Sequence, residues 1–269
     1  MSKVMLIPGL VAFLLISLER FSKFHFREAN LFRRYFTSDI TYFLTGTLAG
    51  SSLVRAYVSF SSGWVGEHLK LPRLASFDLS LWLLIPLAVV ALDLGNYFVH
   101  YLLHRWSFLW EFHKIHHSSR HLDWLATFRS HIIEQALRRL IGPAVLILVG
   151  FPIKAVVLAS AISMAWGIFN HSNLRINFRF VESVLITPGI HRLHHVPETE
   201  TCNLGIIFTF WDRLRGKFVT AETSPNIILG FEGENATYPQ SWAPQLIEPF
   251  KQMVSASSTR TTRSAEANS

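Results

Sequence analysis

Five apolar runs punctuate this chain, and they restrict its fold more than any other feature. They cover roughly residues 4–18, 37–60, 79–104, 132–149 and 153–170. Each lies near the ~20 residues that a helix needs to cross a bilayer, where backbone groups must be paired within the segment. Composition agrees. Of 269 residues only 16% are charged, against about a quarter in soluble domains, so much of the surface is expected to face lipid. The fold class expected is all-α: a polytopic helical membrane protein of four or five spans. The first run is followed by Glu19-Arg20 and an aromatic, basic segment rather than a small-x-small cleavage site. It therefore reads as an uncleaved span, with an interfacial first helix and four spans as the rival. Gly150-Phe151-Pro152 reads as the tight turn of a helical hairpin.

Charge orients the spans. Arg20, Lys23, Arg27, Arg33 and Arg34 separate the first two runs, which assigns that loop to the cytoplasm. Alternation then puts residues 61–78 outside, and both residues 104–131 and the chain after Asn170 inside. The net charge of +7 comes from residues flanking apolar runs, which suits anionic lipid headgroups and not nucleic acid. The single cysteine, Cys202, excludes an internal disulfide and a cysteine-rich zinc module. Residues 1–36 read as a span and basic loop, 37–220 as one histidine-box domain, and 221–269 as an extension. From about Ser255 the extension has no apolar periodicity and is expected to be disordered.

Thirteen histidines are the compositional oddity, and eleven of them lie between His100 and His195. His100 and His104 stand at i, i+4 at the end of the third run, on one helix face. His113, His116 and His117 form H-x2-H-H, and His191, His194 and His195 repeat it. Asn170-His171 closes the last run. The topology, drawn from Lys and Arg alone, brings all four groups to one side of the membrane. Neutral imidazoles are good ligands for iron, zinc, copper and nickel, and eight or more clustered histidines suggest two metals. Oxidation of an unactivated C–H bond beside lipid needs a redox metal, which favours iron over zinc. His25, His68 and His121 are left outside the site.

These motifs resemble the fatty acid hydroxylase/sterol desaturase superfamily of membrane di-iron enzymes. The carrying residues are His100-Tyr-Leu-Leu-His104, His113-Lys-Ile-His116-His117 and His191-Arg-Leu-His194-His195. Arg129-Ser-His131-Ile-Ile-Glu134, Asn170-His171, Asn203-Leu-Gly205 and Trp211-Asp212-Arg213-Leu214 add to them. The layout is similar to that of bacterial members, which implies a bacterial inner membrane before an endoplasmic reticulum. The resemblance implies a helical stem with a cytosolic histidine-lined cap, and two irons, with zinc as a substitute in preparations. His100, His104, His113, His116, His117, His191, His194 and His195 are the implied ligands, with His171 and His131 as further ones. It also implies dioxygen, a lipid substrate, and electrons from a separate ferredoxin or cytochrome b5-type protein, since no His-Pro-Gly-Gly haem motif is present. The run Glu198-Thr-Glu200-Thr-Cys202 departs from the family's usual acidic-Asp-x-Asn-Tyr-Gly pattern at the pocket edge.

Asp93, Tyr97, His100 and His104 share one helical stripe, so Asp93 or Tyr97 is expected to orient an imidazole through its second nitrogen. The competing reading of Asp93 is a helix–helix hydrogen bond. Glu134 is expected to pair with Arg129 at least as readily as to contact a metal, Asp212 to pack structurally, and Trp106, Phe108 and Trp110 to anchor the interface. A lipid tail could pass near Phe98, Trp166 and Phe169. The function expected is oxygen-dependent hydroxylation or desaturation of a fatty acyl chain, sterol or related lipid. The alternatives are a non-enzymatic metal-binding or transport protein and a zinc hydrolase. No His-Glu-x-x-His is present to supply a hydrolase's general base.

Overall fold

A computed structural model describes residues 6–21, 25–26, 32–48, 52, 56, 79–175, 179–220, 227–233 and 237–266. Among these the protein is all-helical, with two isolated β-bridges and no strand. Helix α1 covers Leu6–Phe21, α2 is helical at residues 36–48, α3 covers Leu81–Arg105 and α4 Ser107–His117. Next come α5 (Ile132–Val149), α6 (Ile153–Asn170), the short α7 (Arg179–Glu182) and α8 (Pro188–His194). The helices α9 (Phe210–Leu214) and α10 (Trp242–Glu266) complete the order.

Among the described residues two helices, α3 and α6, are long and apolar enough to cross a membrane. α5 has the same length as α6 but carries Glu134, Arg138 and Arg139 in its first half. α1 is a shorter apolar helix of 16 residues. The second expected span is helical at residues 36–48, and most of its remainder, with the 61–78 loop, lies outside the described residues. On α3 the side chains of Leu83, Leu87, Val90, Leu94 and Phe98 are exposed. Their spacing of four, three, four and four draws one apolar stripe, a surface stable against lipid and not against water.

The core lies between α3, α5 and α6, where Leu84, Ala88 and Leu92 meet Leu146, Phe151, Ala155 and Ala159. A Cβ on Gly142 would stand 2.7 Å from a Leu92 methyl, so glycine there permits the close approach of α5 to α3. α5 stops at Gly150, whose φ of 96° is left-handed, and the Gly150 and Phe151 amides return to Ile147 and Leu146 carbonyls. This C-cap, with Pro152 leading into α6, is the expected turn. α1 packs its Leu15 near Ile168, Phe128 and Leu174, and the Glu19 carboxylate accepts from the Asn173 amide at 2.6 Å. Arg33, just before α2, reaches Asp123 at 2.7 Å. The ends of α1, α3 and α6 and the beginnings of α2 and α5 therefore gather at one end of the bundle.

Residues 255–266 continue α10 as helix, where the sequence reading expected disorder. The run Ser-Ala-Ser-Ser-Thr-Arg-Thr-Thr-Arg-Ser-Ala-Glu contains no glycine or proline. Extending a nucleated helix through it costs only tenths of a kcal/mol per residue (roughly 0–0.7 each). Missing apolar periodicity marks a missing packing face, not a missing helix. The first half of α10 packs back on α4: Gln245 donates to Ser118 Oγ at 3.0 Å and accepts from Tyr42 Oη at 3.0 Å.

Candidate metal centre

The gathered end of the bundle holds nine histidines in two groups. His100 and His104 from α3, His113 and His117 from α4 and His194 from α8 form the first. His116 from α4, His171 at the end of α6, and His191 and His195 from α8 form the second. Within each group the nearest ring nitrogens all lie within 4.8 Å of one another. Helix geometry explains the partition. Residues i and i+4 differ by about 40° around the axis, whereas i+3 falls about 60° to the other side. In each H-x2-H-H motif the outer pair therefore faces one group and the middle histidine the other. α4 sends His113 and His117 to the first group and His116 to the second. α8 does the reverse, sending His191 and His195 to the second and His194 to the first.

Short, well-capped segments hold these turns in place. α8 starts at Pro188, with Thr187 Oγ1 accepting from the Ile190 amide at 3.4 Å. The loop behind it is stitched by Asn203, left-handed at φ 53°. Its side chain donates to the Ile190 and Val219 carbonyls and accepts from the Val219 amide.

Hydrogen bonds to the second ring nitrogens decide what the site can bind. His100 Nδ1 lies 2.8 Å from the Leu204 carbonyl, and His113 Nδ1 lies 2.9 Å from Glu134 Oε1. His116 Nδ1 faces the Arg129 carbonyl at 3.1 Å and His171 Nδ1 the Gly167 carbonyl at 2.7 Å. His194 Nδ1 faces the Cys202 carbonyl at 3.0 Å. Oxygens of these kinds accept, so each Nδ1 carries the proton and each Nε2 a lone pair. Yet His100 and His113 bring Nε2 to Nε2 at 3.1 Å, and His116 and His171 at 3.0 Å. Two lone pairs at that distance repel unless a cation lies between them. Metal–imidazole bonds of ~2.0–2.1 Å set neighbouring donors about 3.0–3.4 Å apart. The donor set therefore fits two metal ions. The buried His104 Nε2, which has no hydrogen-bond partner, fits the same purpose.

Electrostatics agrees. Burial, then the crowding of neighbouring charges, holds His113, His116, His117, His191 and His195 well below the usual imidazole range. Burial takes His171 down to about 4 and His194 to about 3. All are neutral at pH 7, the form that ligates.

The tenth expected ligand, His131, joins neither group. Its Nδ1 accepts from the Ile133 amide at 3.1 Å as the N-cap of α5, and its Nε2 lies 3.2 Å from the Leu246 carbonyl. Asp93 and Tyr97 do not orient an imidazole either. Asp93 accepts from the Ile207 and Phe208 amides and from Trp211 Nε1, and Tyr97 Oη donates to Asp212 at 3.4 Å. They stand about one and two turns from His100, within reach of the loop and not of the rings.

Other side chains take those tasks. Glu134 holds His113 and also Arg138 at 2.9 Å. Arg129, its expected partner, bonds Asp39 at 2.7 Å instead. Asp212 accepts from the Leu204 and Gly205 amides at 3.0 and 2.8 Å, which aims the Leu204 carbonyl at His100. Trp110 rests on the histidines, its ring 4.9 Å from that of His104 and 5.3 Å from that of His117. Trp106 and Phe108 are exposed. Of the three residues expected near a lipid path, Phe98 faces outward, Trp166 donates to the Ile186 carbonyl, and Phe169 packs near α1. Backbone carbonyl partners have no sequence signal, because every residue has one. Glu134 had one, three residues after His131.

Comparison with known proteins points the same way. The chain is 29% identical over 168 residues to the ornithine lipid hydroxylase OlsE of Rhizobium tropici, covering 62% of this chain and 50% of that protein. It is 26% identical over 163 residues to the alkylglycerol monooxygenase of Danio rerio, covering 60% and 35%. The Homo sapiens alkylglycerol monooxygenase is 24% identical over 134 residues, covering 49% and 29%. The matched region thus spans half or less of each relative's length. No solved structure matches the chain. The fatty acid hydroxylase family model matches residues 85–217, a stretch that contains both histidine groups, and over it the chain is similar to the fatty acid hydroxylase family.

Proposed function

We propose that this protein is a membrane-bound di-iron, dioxygen-dependent oxidoreductase that hydroxylates a lipid, with His100, His104, His113, His117 and His194 holding one iron and His116, His171, His191 and His195 the other. The observation that carries the reading is the pairing of Nε2 lone pairs at 3.0–3.1 Å between rings whose Nδ1 protons are already committed. When bound, two irons would supply the redox chemistry that dioxygen reduction and C–H oxidation require. The chain's own residues do the rest. Carbonyls of Leu204, Arg129, Gly167 and Cys202, with Glu134, keep the imidazoles in the ligating tautomer and orientation. Burial keeps them unprotonated.

Both kinds of relative are named for hydroxylation or monooxygenation, which favours an alcohol product over an alkene. The substrate is a lipid with an acyl, alkyl or sterol skeleton. Two external electrons per turnover come from a separate carrier of ferredoxin or cytochrome b5 type. The histidine end faces the cytoplasm, as the basic loops require, in a bacterial inner membrane, with four or five spans.

The test is metal analysis of detergent-purified protein from iron-supplemented cells, beside H116A/H194A, which removes one ligand from each group. About two irons per chain, lost in the variant, with oxygen uptake on adding reductant and membrane lipid, is the expected result. Zinc alone, with no iron uptake and no oxygen use by folded protein, would favour the hydrolase or metal-binding alternatives.

A further inference from the structure

α10 turns a row of apolar side chains away from the protein. Ala243, Ile247, Phe250 and Val254 are exposed, and 56% of Ile247 and 69% of Val254 is uncovered. Their spacing of four, three and four places them on one helix stripe about 16 Å long. The other side of the helix is occupied. Gln245 is fully buried between Tyr42 and Ser118, and Pro249 is buried with it. A helix on a water-facing surface arranges its faces the other way round.

Position in the fold selects what covers the stripe. The Phe250 ring lies 5.6 Å from Phe112 and 6.0 Å from His131. Phe112 in turn lies 5.6 Å from Phe108. Phe108 and Trp106 directly follow α3 and are exposed. His131 caps α5, whose first residue, Ile132, is exposed as well. The stripe therefore continues the exposed apolar surface of the bundle between the end of α3 and the start of α5. Trp and other aromatic residues collect at this level of a membrane. Lys251, also exposed, stands one turn from Ile247.

We infer that α10 is an interfacial helix that lies on the membrane crossed by α3, with Ala243, Ile247, Phe250 and Val254 set among the lipids and Lys251 toward anionic headgroups. This goes beyond the proposed chemistry and does not depend on it. It links the bilayer surface to the histidine end through Gln245 on Ser118 and the Leu246 carbonyl on His131.

The test uses the full-length protein in nanodiscs of phosphatidylcholine and phosphatidylglycerol. Bimane is attached at V254C in a C202A background, with K217C, on an exposed loop, as the control. Doxyl-labelled lipid is expected to quench the V254C label about twofold or more beyond the control, and aqueous iodide to quench it less. Equal iodide quenching at both positions would show a stripe in water and overturn the inference. Protection from iodide without quenching by doxyl lipid would mean that a second protein covers the stripe, and would overturn it too. Metal content is read on the same samples, so failure of the metal assignment would be seen separately.

Discussion

Five imidazoles of this site are anchored through Nδ1 and turn Nε2 to the centre, and the anchors can be tested apart from the ligands. Glu134 touches no other histidine nitrogen than Nδ1 of His113 among the hydrogen bonds described. Glu134→Ala is therefore expected to weaken metal binding by the five-histidine group about 10–100-fold, while the four-histidine group keeps its ion. Chelator competition followed by metal analysis would show stoichiometry falling from two toward one; loss of both ions together would assign Glu134 to the fold. His131 gives the contrast. As an N-cap, its replacement by alanine should cost about 0.5–2 kcal/mol of stability and leave metal content intact, and His131→Asn should restore most of the loss. A thermal melt beside metal analysis separates the two outcomes, and metal lost in His131→Ala with an unchanged melt would return it to the ligand set.

At the scale of elements, the loop after α8 and the start of α2 hold the site from opposite sides. The loop turns sharply at Gly205, where a Cβ would lie 2.4 Å from the Phe208 carbonyl. Gly205→Ala must displace backbone that Asp212 and Asp93 hold, so about 1–3 kcal/mol of destabilisation is expected. The Leu204 carbonyl would shift from His100 with it, and metal affinity should fall in the same melt-and-titration experiment. On the other side, Asp39 of α2 is fully buried between Arg129 and Arg33. Arg129 also donates to the Ile115 carbonyl, and its own carbonyl faces His116. Asp39→Ala leaves the buried Arg129 guanidinium without its carboxylate, while Arg33 keeps Asp123, at a cost of about 3–5 kcal/mol. Denaturant titration in detergent micelles checks the figure, and a loss below 1 kcal/mol (roughly the value of an exposed pair) would show that water reaches the pair.

For the whole molecule, the concentration of neutral imidazoles sets the response to acid. His194 and His171 titrate near 3 and 4 when folded, against about 6.5 in an unfolded chain. Below pH 6.5 the unfolded state binds more protons, so stability falls as pH falls and is fully present only above that value. In the metal-free protein each such histidine should remove on the order of 1 kcal/mol per pH unit between about pH 6.5 and 4. Melting temperatures of metal-stripped protein from pH 8 to 5 would test this, and a flat profile would contradict the burial of these rings. Bound metal competes with the same protons, so loaded protein should resist acid further and then release its ions.

What the sequence determined by itself follows from periodicity and composition. Apolar length marked α3 and α6, and i, i+3, i+4 spacing placed histidines on shared helix faces. Gly150 with Pro152 marked the turn between α5 and α6, because few residues other than glycine accept a left-handed backbone. The tertiary structure alone decided which histidines meet. His116 and His194 go to opposite groups although both are middle members of the same motif, since this depends on how α4 and α8 face each other. It also decided that His131 caps a helix, that Asp93 serves a loop 114 residues away, and that Glu134 leaves Arg129 for His113. Side-chain partners across a fold depend on packing angles and on which buried donor lacks an acceptor. Spacing along one helix carries neither.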